Sequence, residues 1–465
     1  MSDPAAGPNR YLRGDFTAVR EEVTAFDLPV TGTIPAELNG RYLRNGPNPI
    51  AVDDARYHLF LGDGMVHGVR LRDGRAEWYR NRWVRQSAVN RMLGEPPRKA
   101  TVYGGVEVAA NTHVIGHAGR TLALVEGGTL PYELGHDLST LSTCDFEGTL
   151  PGGFTAHPKL ERATGELHAV AYMAGLPYVT YHVVGPEGRV TRSENISVPS
   201  GAMMHDFALT QNHVLVYDLP VTFSREAALR GAPVPYEWND AHQARIGVMP
   251  RAGTAADVRW VEVDPVWIFH TLNAYDDGER VVLDVVTHPR MMSNATSSIE
   301  GHGTPALDRY TLDPAAGKAA VQRLDDRPQE FPRINDRLIS LPYRYGYTAA
   351  TTDLMESFAG IRELDQLGDD AFSNRIIKHD LHRGTQEIRT FGRGQALGEP
   401  VFVQAAGGVA EDDGHVLAFA HNPERSATDL VILSAQDITG DPVATVHLPA
   451  RVPLGFHGSW IPDAG

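Results

Sequence analysis

The sequence predicts an all-β protein, a seven-bladed β-propeller. Along most of the chain, short runs of alternating apolar and polar residues are separated by Gly or Asp turns, which is typical of antiparallel hairpins. These hairpins recur as a unit of about 45 to 75 residues. Such units begin near Tyr57, His113, His157, His205, His270, Tyr345 and Phe402. Seven consecutive four-stranded units favour a propeller, because a sandwich or barrel needs far fewer strands.

The strands and helices follow from the spacing within each run. Clear strands are expected in segments 120–126, 165–173, 212–223, 279–286 and 415–420. Helix-like spacing occurs at 224–231, enough for about two turns, and at 351–367. We expect both helical segments to be insertions between strands that help to form a cap over one face.

The chain is expected to form one domain over residues 1–465. Its 46 glycines and 31 prolines are scattered, so no linker is apparent. The segment after residue 445 should complete a blade together with N-terminal strands and so close the ring. The alternative interpretation is two all-β domains in tandem.

Composition restricts the partners. The chain has 465 residues, of which 42% are hydrophobic and 22% charged, as in globular proteins with a large core. Its formal net charge of -16 repels nucleic acid, so we expect no nucleic-acid partner. The single cysteine, Cys144, cannot form an internal disulfide or a Cys-based zinc site. Because neither a signal peptide nor a membrane-spanning stretch is visible, the sequence predicts a cytoplasmic protein.

Three histidines occupy one register of the repeat. His157, His205 and His270 each precede the next apolar strand by about eight to eleven residues. Equivalent positions in successive blades converge on the central axis, so their imidazoles are expected to meet there. His457 arrives from the closing segment, and His113 occupies the same register as the first three. The repeat alone therefore nominates five metal ligands.

Imidazoles without a thiolate suit iron, copper, nickel or zinc. A rigid axial site with open coordination positions suits Fe(II) and dioxygen. Four other histidines lie within or beside outer strands and are expected to be solvated or packed, namely His117, His168, His213 and His288.

Three glutamates lie next to apolar strand residues. Glu126 ends the run LALVE, Glu330 precedes FPRIN, and Glu399 precedes PVFV. A metal-bound imidazole usually donates its other ring N–H to a carboxylate or a carbonyl oxygen. These glutamates are therefore candidates to orient the histidines, whereas the simpler interpretation of each is an exposed strand end.

Nine motifs extend over nearly the whole chain. They are RYLRNGPNP (41–49), GDGMVHGV (62–69), ANTHVIGHAGRTLALVEGG (110–128), FTAHPK (154–159), MMHDF (203–207), EFPRIN (330–335), GEPVFV (398–403), EDDG (411–414) and GFHGSW (455–460). Together and in this order, they resemble the motifs of the carotenoid cleavage oxygenases.

The resemblance implies a seven-bladed propeller with one Fe(II) per chain on its axis. The implied ligands are His157, His205, His270 and His457, and His113 is then not a ligand. Glu126, Glu330 and Glu399 match the family's glutamates, which orient three of the ligands. Thr112 matches a small residue that crowds one open position of the iron and so restricts the approach of dioxygen or substrate.

The implied reaction is cleavage of a C=C bond by dioxygen to give two carbonyl products, without an organic cofactor. Met203, Phe269 and Phe331, next to predicted ligand and glutamate positions, are expected to form an apolar wall for a conjugated substrate, together with Phe60 just before the motif GDG. Relatives that cleave hydroxylated stilbenes tend to carry a lysine where this chain has Val125. The sequence therefore favours a carotenoid or apocarotenoid over a stilbenoid or phenylpropanoid.

Three other functions compete with this one. A family member could act as a polyene isomerohydrolase, and any propeller could be a non-catalytic binding scaffold. A calcium-dependent lactonase propeller would need oxygen ligands on the axis, which the histidine register opposes. Because carotenoids reside in membranes, we also expect an apolar patch near the tunnel mouth, around 354–367, that allows peripheral membrane contact.

Overall fold

The computed structural model describes residues 9–51, 57–98, 107–292, 301–351 and 374–463. The described residues form seven large antiparallel sheets. These sheets are the blades of a propeller, as the sequence predicts. We number the blades I to VII along the chain. No helix in the described ranges is both long enough and apolar enough to cross a membrane.

Five blades contain four strands each. Blade II consists of His113–His117, Arg120–Leu124, Tyr132–Leu134 and Thr140–Thr143. Blade III consists of Lys159–Leu160, Leu167–Ala171, Tyr178–Val184 and Val190–Ser197. Blade IV consists of Ala208–Leu209, His213–Asp218, Arg245–Pro250 and Arg259–Glu262. Blade V consists of Trp267–Asp277, Arg280–His288, Ala306–Asp313 and Lys318–Asp325. Blade VI consists of Gln329–Arg333, Tyr345–Ala350, Arg375–Asp380 and Thr385–Thr390.

Two blades contain a fifth strand from the opposite end of the chain. Blade I consists of Thr24–Phe26, Arg75–Trp83, Gly64–Arg72, Gly40–Pro47 and the C-terminal Gly458–Pro462. Blade VII consists of Val401–Gln404, Gly414–Asn422, Ala427–Ser434, Ala444–His447 and the N-terminal Val30–Gly32. The predicted closure of the ring is thus confirmed, and it occurs twice.

Two of the predicted unit starts are wrong. Blade I pairs through Gly40–Pro47, which precedes Tyr57, and blade VI begins at Gln329, well before Tyr345. All eight residues of Gly40–Pro47 are buried, so arginine and asparagine interrupt its apolar pattern without marking a solvent face. The first strand of blade VI contains Pro332. Because proline is uncommon inside strands, the sequence pattern does not indicate a strand there.

Tight turns connect many of the strands. Ala118 and Gly119 separate two strands of blade II, and both have positive φ, 49° and 74°. Asp73 and Gly74 do the same in blade I, with φ of 48° and 72°. Two-residue turns with positive φ match the twist of the strands that they join.

Helices are few and short. The α-helices described are Ser87–Leu93 and Arg225–Leu229, and the 3-10 helices are Arg10–Leu12, Gly14–Phe16, Leu59–Leu61, Ala255–Asp257 and Asp336–Leu338. Two small sheets pair Val221–Phe223 with Tyr236–Trp238 and Arg290–Met291 with Gly301–His302. The helix predicted at 224–231 is present but shorter than two turns. The helix predicted at 351–367, which was expected to contribute to the cap, lies outside the described residues except for Thr351, and so does the apolar patch expected at 354–367.

An ion-pair network joins blades III and IV. Arg251 donates to both carboxylate oxygens of Glu161, at 2.8 and 3.0 Å, and to His168 Nε2 at 2.9 Å. The hydrogen bonds from Arg251 outweigh burial and lower the pKa of Glu161 to about 2. His168 and Glu161 are buried, so loss of the guanidinium leaves a buried carboxylate without its partner.

Replacing Arg251 by glutamine is expected to lower the free energy of unfolding at pH 7 by about 3 kcal/mol. Because the pKa of Glu161 is depressed in the folded protein, the contribution is complete above the unfolded-state pKa and is lost as pH falls towards about 2. Urea unfolding of both proteins from pH 7 to pH 2.5 measures this. A difference that does not shrink below about pH 4 would contradict the assignment to Glu161.

Candidate metal centre

Four buried histidines meet at one point inside the ring. One ligand nitrogen of each of His157, His205, His270 and His457 lies within 4.8 Å of those of the other three. His270 Nε2 is 3.1 Å from His457 Nε2 and 3.4 Å from His205 Nε2. The ring centroids of His157 and His205 are 4.4 Å apart. The structure thus brings together the four histidines that the family resemblance singled out.

Each histidine comes from a different part of the ring. His157 and His205 lie shortly before the first strands of blades III and IV, and His457 lies directly before Gly458–Pro462 of blade I. His270 lies within Trp267–Asp277, where the pairing register shifts between Ile268 and Thr271. A bulge of this kind turns a side chain away from its normal strand direction.

A second irregularity of the strand pairing positions one of the glutamates. In blade VI the register shifts between Glu330 and Arg333, and Phe331 has a φ of 54°, which is uncommon for a bulky residue. Glu330 is fully buried and accepts hydrogen bonds from His270 Nδ1 at 2.5 Å, His288 Nε2 at 2.9 Å and the Phe331 N–H. The irregular backbone therefore fixes a carboxylate behind one of the central imidazoles.

The other two glutamates occupy equivalent places. Glu399 Oε1 lies 2.9 Å from His457 Nδ1, and its Oε2 accepts from the Gly458 N–H at 2.9 Å. Glu126 Oε1 lies 3.0 Å from His205 Nδ1. Each of these three carboxylates contacts the Nδ1 of one central histidine, so the Nε2 atoms face inwards.

Electrostatics keep two of these carboxyl groups ionised. Burial alone raises the pKa of Glu330, but contacts with His270 and His288 lower it well below the usual range. Burial likewise raises the pKa of Glu399, and Arg333 and His457 lower it more. Ionised carboxylates can only accept hydrogen bonds, so the Nδ1 atoms of His270 and His457 carry the protons.

Two of the central imidazoles are favoured in the neutral form, whereas a third is not. Burial lowers the pKa of His457 to about 4 and that of His157 well below its usual value, assisted by the neighbouring imidazoles. Burial acts in the same direction on His205, but the nearby carboxylates, Glu126 first, outweigh it and raise its pKa.

This arrangement fits a metal cation. With Nδ1 of His270 and His457 donating to carboxylates, their Nε2 atoms carry lone pairs that face each other at 3.1 Å. The Nε2 of His157 is buried without a hydrogen-bond partner. Lone pairs at this separation repel each other unless a cation accepts them, and buried polar atoms normally have partners. Neutral imidazoles without thiolate suit iron, copper, nickel or zinc.

His113 lies beside this cluster but its nitrogens are engaged elsewhere. Its Nδ1 is 3.0 Å from the Ala156 carbonyl oxygen and its Nε2 is 3.2 Å from Ser459 Oγ. The register of the repeat could not separate His113 from the others, because that register fixes the start of a strand and not the direction of the ring.

A second group of potential metal ligands consists of Glu161, Glu166 and His168. The guanidinium of Arg251 contacts all three and already supplies the positive charge. This group is therefore an ion-pair network.

Aromatic side chains cover the histidines. Phe331 stacks on His270 with centroids 5.4 Å apart, and Phe269 meets His205 edge-on at 5.1 Å. Phe60 lies 6.3 Å from Phe269 and 6.5 Å from His205. These three expected wall residues thus border the cluster.

The other three expected pocket residues are Met203, Thr112 and Val125. Met203 is buried in the same apolar cluster as Phe269 and Phe331. Thr112 accepts the His457 N–H at its carbonyl oxygen, at 3.0 Å. Val125 is fully packed in a separate apolar cluster between blades I and II.

A cavity of about 660 Å³ runs along the axis and reaches the cluster. His157, His270 and His457 line one end of it. We call it the axial cavity. None of the six expected pocket residues lines it, so it is a space distinct from the aromatic wall.

The sequence did not single out several residues that support the cluster. His288 was expected to be solvated or packed; it is packed and contacts Glu330. Tyr172 donates to Glu126 at 2.7 Å, and Arg333 donates to Glu399 at 3.1 Å. The motif EFPRIN contains Arg333 but no signal of its role, and Tyr172 lies in an ordinary strand-end pattern.

Comparison with known proteins identifies similar chains. Residues 16–462 match the family model described as retinal pigment epithelial membrane protein. A carotenoid cleavage oxygenase of Mycobacterium tuberculosis is 44% identical over 98% of each chain. An isoeugenol monooxygenase of Pseudomonas nitroreducens is 32% identical over 97% of this chain and 98% of the relative. The crystal structure of Pseudomonas brassicacearum lignostilbene dioxygenase superposes with a TM-score of 0.87 at 28% identity, covering 98% of this chain and 99% of that one.

Proposed function

Because the chain belongs to the retinal pigment epithelial membrane protein family, which contains the carotenoid cleavage oxygenases, we propose that it binds one Fe(II) and cleaves a C=C bond of a carotenoid or apocarotenoid with dioxygen. Its relatives are named as oxygenases and dioxygenases, which supports an oxidoreductase that uses dioxygen. The observation that carries the proposal is the meeting of four buried imidazoles, three of which have their Nδ1 atoms against carboxylates.

The proposed ligands are His157, His205, His270 and His457. Bound Fe(II) would supply the activation of dioxygen, since four uncharged ligands leave the ion its full positive charge. Glu126, Glu330 and Glu399 hold three of the rings in one tautomer and orientation. The ligand field is thereby fixed by groups that are themselves buried and hydrogen-bonded.

The surrounding side chains would exclude water and contact the substrate. Phe60, Phe269 and Phe331 exclude water and offer aromatic surfaces to a conjugated chain. Met203 would belong to the same wall, and Thr112, whose carbonyl oxygen accepts the His457 N–H, would restrict the approach of dioxygen or substrate. The alkene and dioxygen together contain all atoms of two carbonyl products, so no residue needs to donate or remove a proton.

A second candidate substrate class is a stilbenoid or phenylpropanoid alkene. It is favoured by the likeness to the isoeugenol monooxygenase and the lignostilbene dioxygenase. Val125 argues against a phenolic substrate, because it provides no cation to bind a phenol oxygen. We therefore rank the carotenoid class first. A cytoplasmic location, with transient membrane contact during substrate uptake, stays a prediction that co-flotation with liposomes tests.

The proposal is tested with protein reconstituted anaerobically with Fe(II), then given ¹⁸O-labelled dioxygen and a panel of carotenoids, apocarotenals and hydroxystilbenes. We expect cleavage of a carotenoid or apocarotenal, with one labelled oxygen in each carbonyl fragment when the products are reduced quickly to prevent exchange with water. Products without label would indicate an isomerohydrolase, and cleavage of hydroxystilbenes alone would overturn the proposed substrate class.

A further inference from the structure

The end of the axial cavity far from the histidines contains a buried cation. Arg41 lines the cavity and is only 7% exposed. Its guanidinium donates to Thr121 Oγ1 at 2.9 Å and to the carbonyl oxygen of His136 at 3.4 Å, both uncharged acceptors. Within the described part of the chain, no carboxylate forms an ion pair with Arg41.

The other cations that line the axial cavity are paired. Lys159 lies 2.8 Å from Asp206, and Arg333 lies 3.1 Å from Glu399. Arg120 pairs with Glu147 at 3.0 Å, and Arg162 with Asp336 at 3.6 Å. Arg41 differs from all four, although a buried charge is costly unless it is paired.

The acid near Arg41 does not compensate for this charge. Asp463 also lines the cavity, but both of its oxygens accept from Arg70, each at 2.8 Å. Burial lowers the pKa of Arg41, and the attraction of Asp463, which exceeds the repulsion from Arg70, does not outweigh it. An incoming anion would therefore find an available guanidinium, whose planar fork fits a carboxylate.

The length of the axial cavity and the apolar part of its lining indicate the size and polarity of the rest of the ligand. Arg41 pairs with Ile461, four residues beyond His457, so the two ends are separated by roughly 13 Å along the strand. Apolar side chains form part of the cavity lining, namely Ile115, Leu160, Leu209, Leu272 and Ile334.

We propose that the axial cavity binds an elongated apolar molecule with a terminal carboxylate, which Arg41 holds while the apolar body extends towards the four histidines. This goes beyond the proposed function, because the substrates proposed above require no anion site. The binding does not depend on turnover, so its failure and the failure of the proposed reaction are separate results.

The test uses decanoate and its uncharged counterpart decanol as probes, titrated calorimetrically into the full-length, metal-loaded protein. We expect one decanoate per chain, bound at least about tenfold more tightly than decanol. Arg41→Gln should weaken decanoate binding at least about tenfold and leave decanol binding unchanged. Arg323→Gln, which removes a cation that is paired with Asp308 and does not line the cavity, should leave both affinities unchanged.

Two results would overturn this inference. One is equal affinity of the wild-type protein for decanoate and decanol, a comparison that needs no variant to fold. The other is unchanged decanoate affinity in Arg41→Gln. If that variant does not fold, Arg41→Lys replaces it. Because lysine keeps the charge but loses the planar fork, decanoate should then bind less tightly than to the wild type but still more tightly than decanol does.

Discussion

Replacement of His205 by alanine is expected to abolish both metal retention and alkene cleavage. The variant removes one of four converging nitrogens and leaves the Glu126 carboxylate without its imidazole partner. Bound iron should fall from about one per chain to below about a tenth, and turnover by on the order of a thousandfold. Elemental analysis after Fe(II) reconstitution and product quantification measure the two quantities.

His113→Ala is the matched control, because His113 is a half-buried imidazole in the same register whose nitrogens contact Ala156 and Ser459. It should keep its iron and most of its activity. Iron loss in His113→Ala with retention in His205→Ala would overturn the ligand assignment.

Replacement of Glu330 by glutamine is expected to lower metal affinity and turnover by about 10- to 100-fold while the propeller remains folded. The carboxylate accepts from both His270 and His288, so an amide loses the negative charge and must direct its NH₂ group at one of these rings. His270 then loses its fixed tautomer and orientation. Circular dichroism establishes folding, and competition with a chelator of known affinity measures the change in iron binding.

Asp284→Asn separates this effect from the general cost of altering a buried acid. Asp284 is equally buried, in the neighbouring blade V, but pairs with Arg309 and Tyr343 and contacts none of the four histidines. It should lower the melting temperature and leave iron affinity unchanged. Equal loss of iron in both variants would mean that Glu330 acts only through stability.

The sequence predicted the architecture because hairpin alternation and the repeat are local patterns. Two blade starts were missed for physical reasons: Gly40–Pro47 is buried throughout, and the first strand of blade VI contains Pro332. The predicted pairing of chain ends was confirmed, but as two separate closures in blades I and VII.

Sequence patterns alone could not identify all residues of the candidate site. A shared register placed His113 and His157 alike, because it does not report the bulges and hydrogen bonds that direct each ring. The family resemblance was needed to choose four histidines. Tyr172 and Arg333 were missed because their partners, Glu126 and Glu399, are distant in sequence. The axial cavity and Arg41 depend on six blades meeting, which no single segment reveals.

Whether the four central histidines bind the metal is measured by anomalous diffraction at the iron edge, from crystals of the wild-type protein reconstituted with Fe(II). We expect a single strong peak per chain, within bonding distance of the imidazoles of His157, His205, His270 and His457. A peak bound elsewhere, or bonded to His113 in place of one of these four, would contradict this expectation.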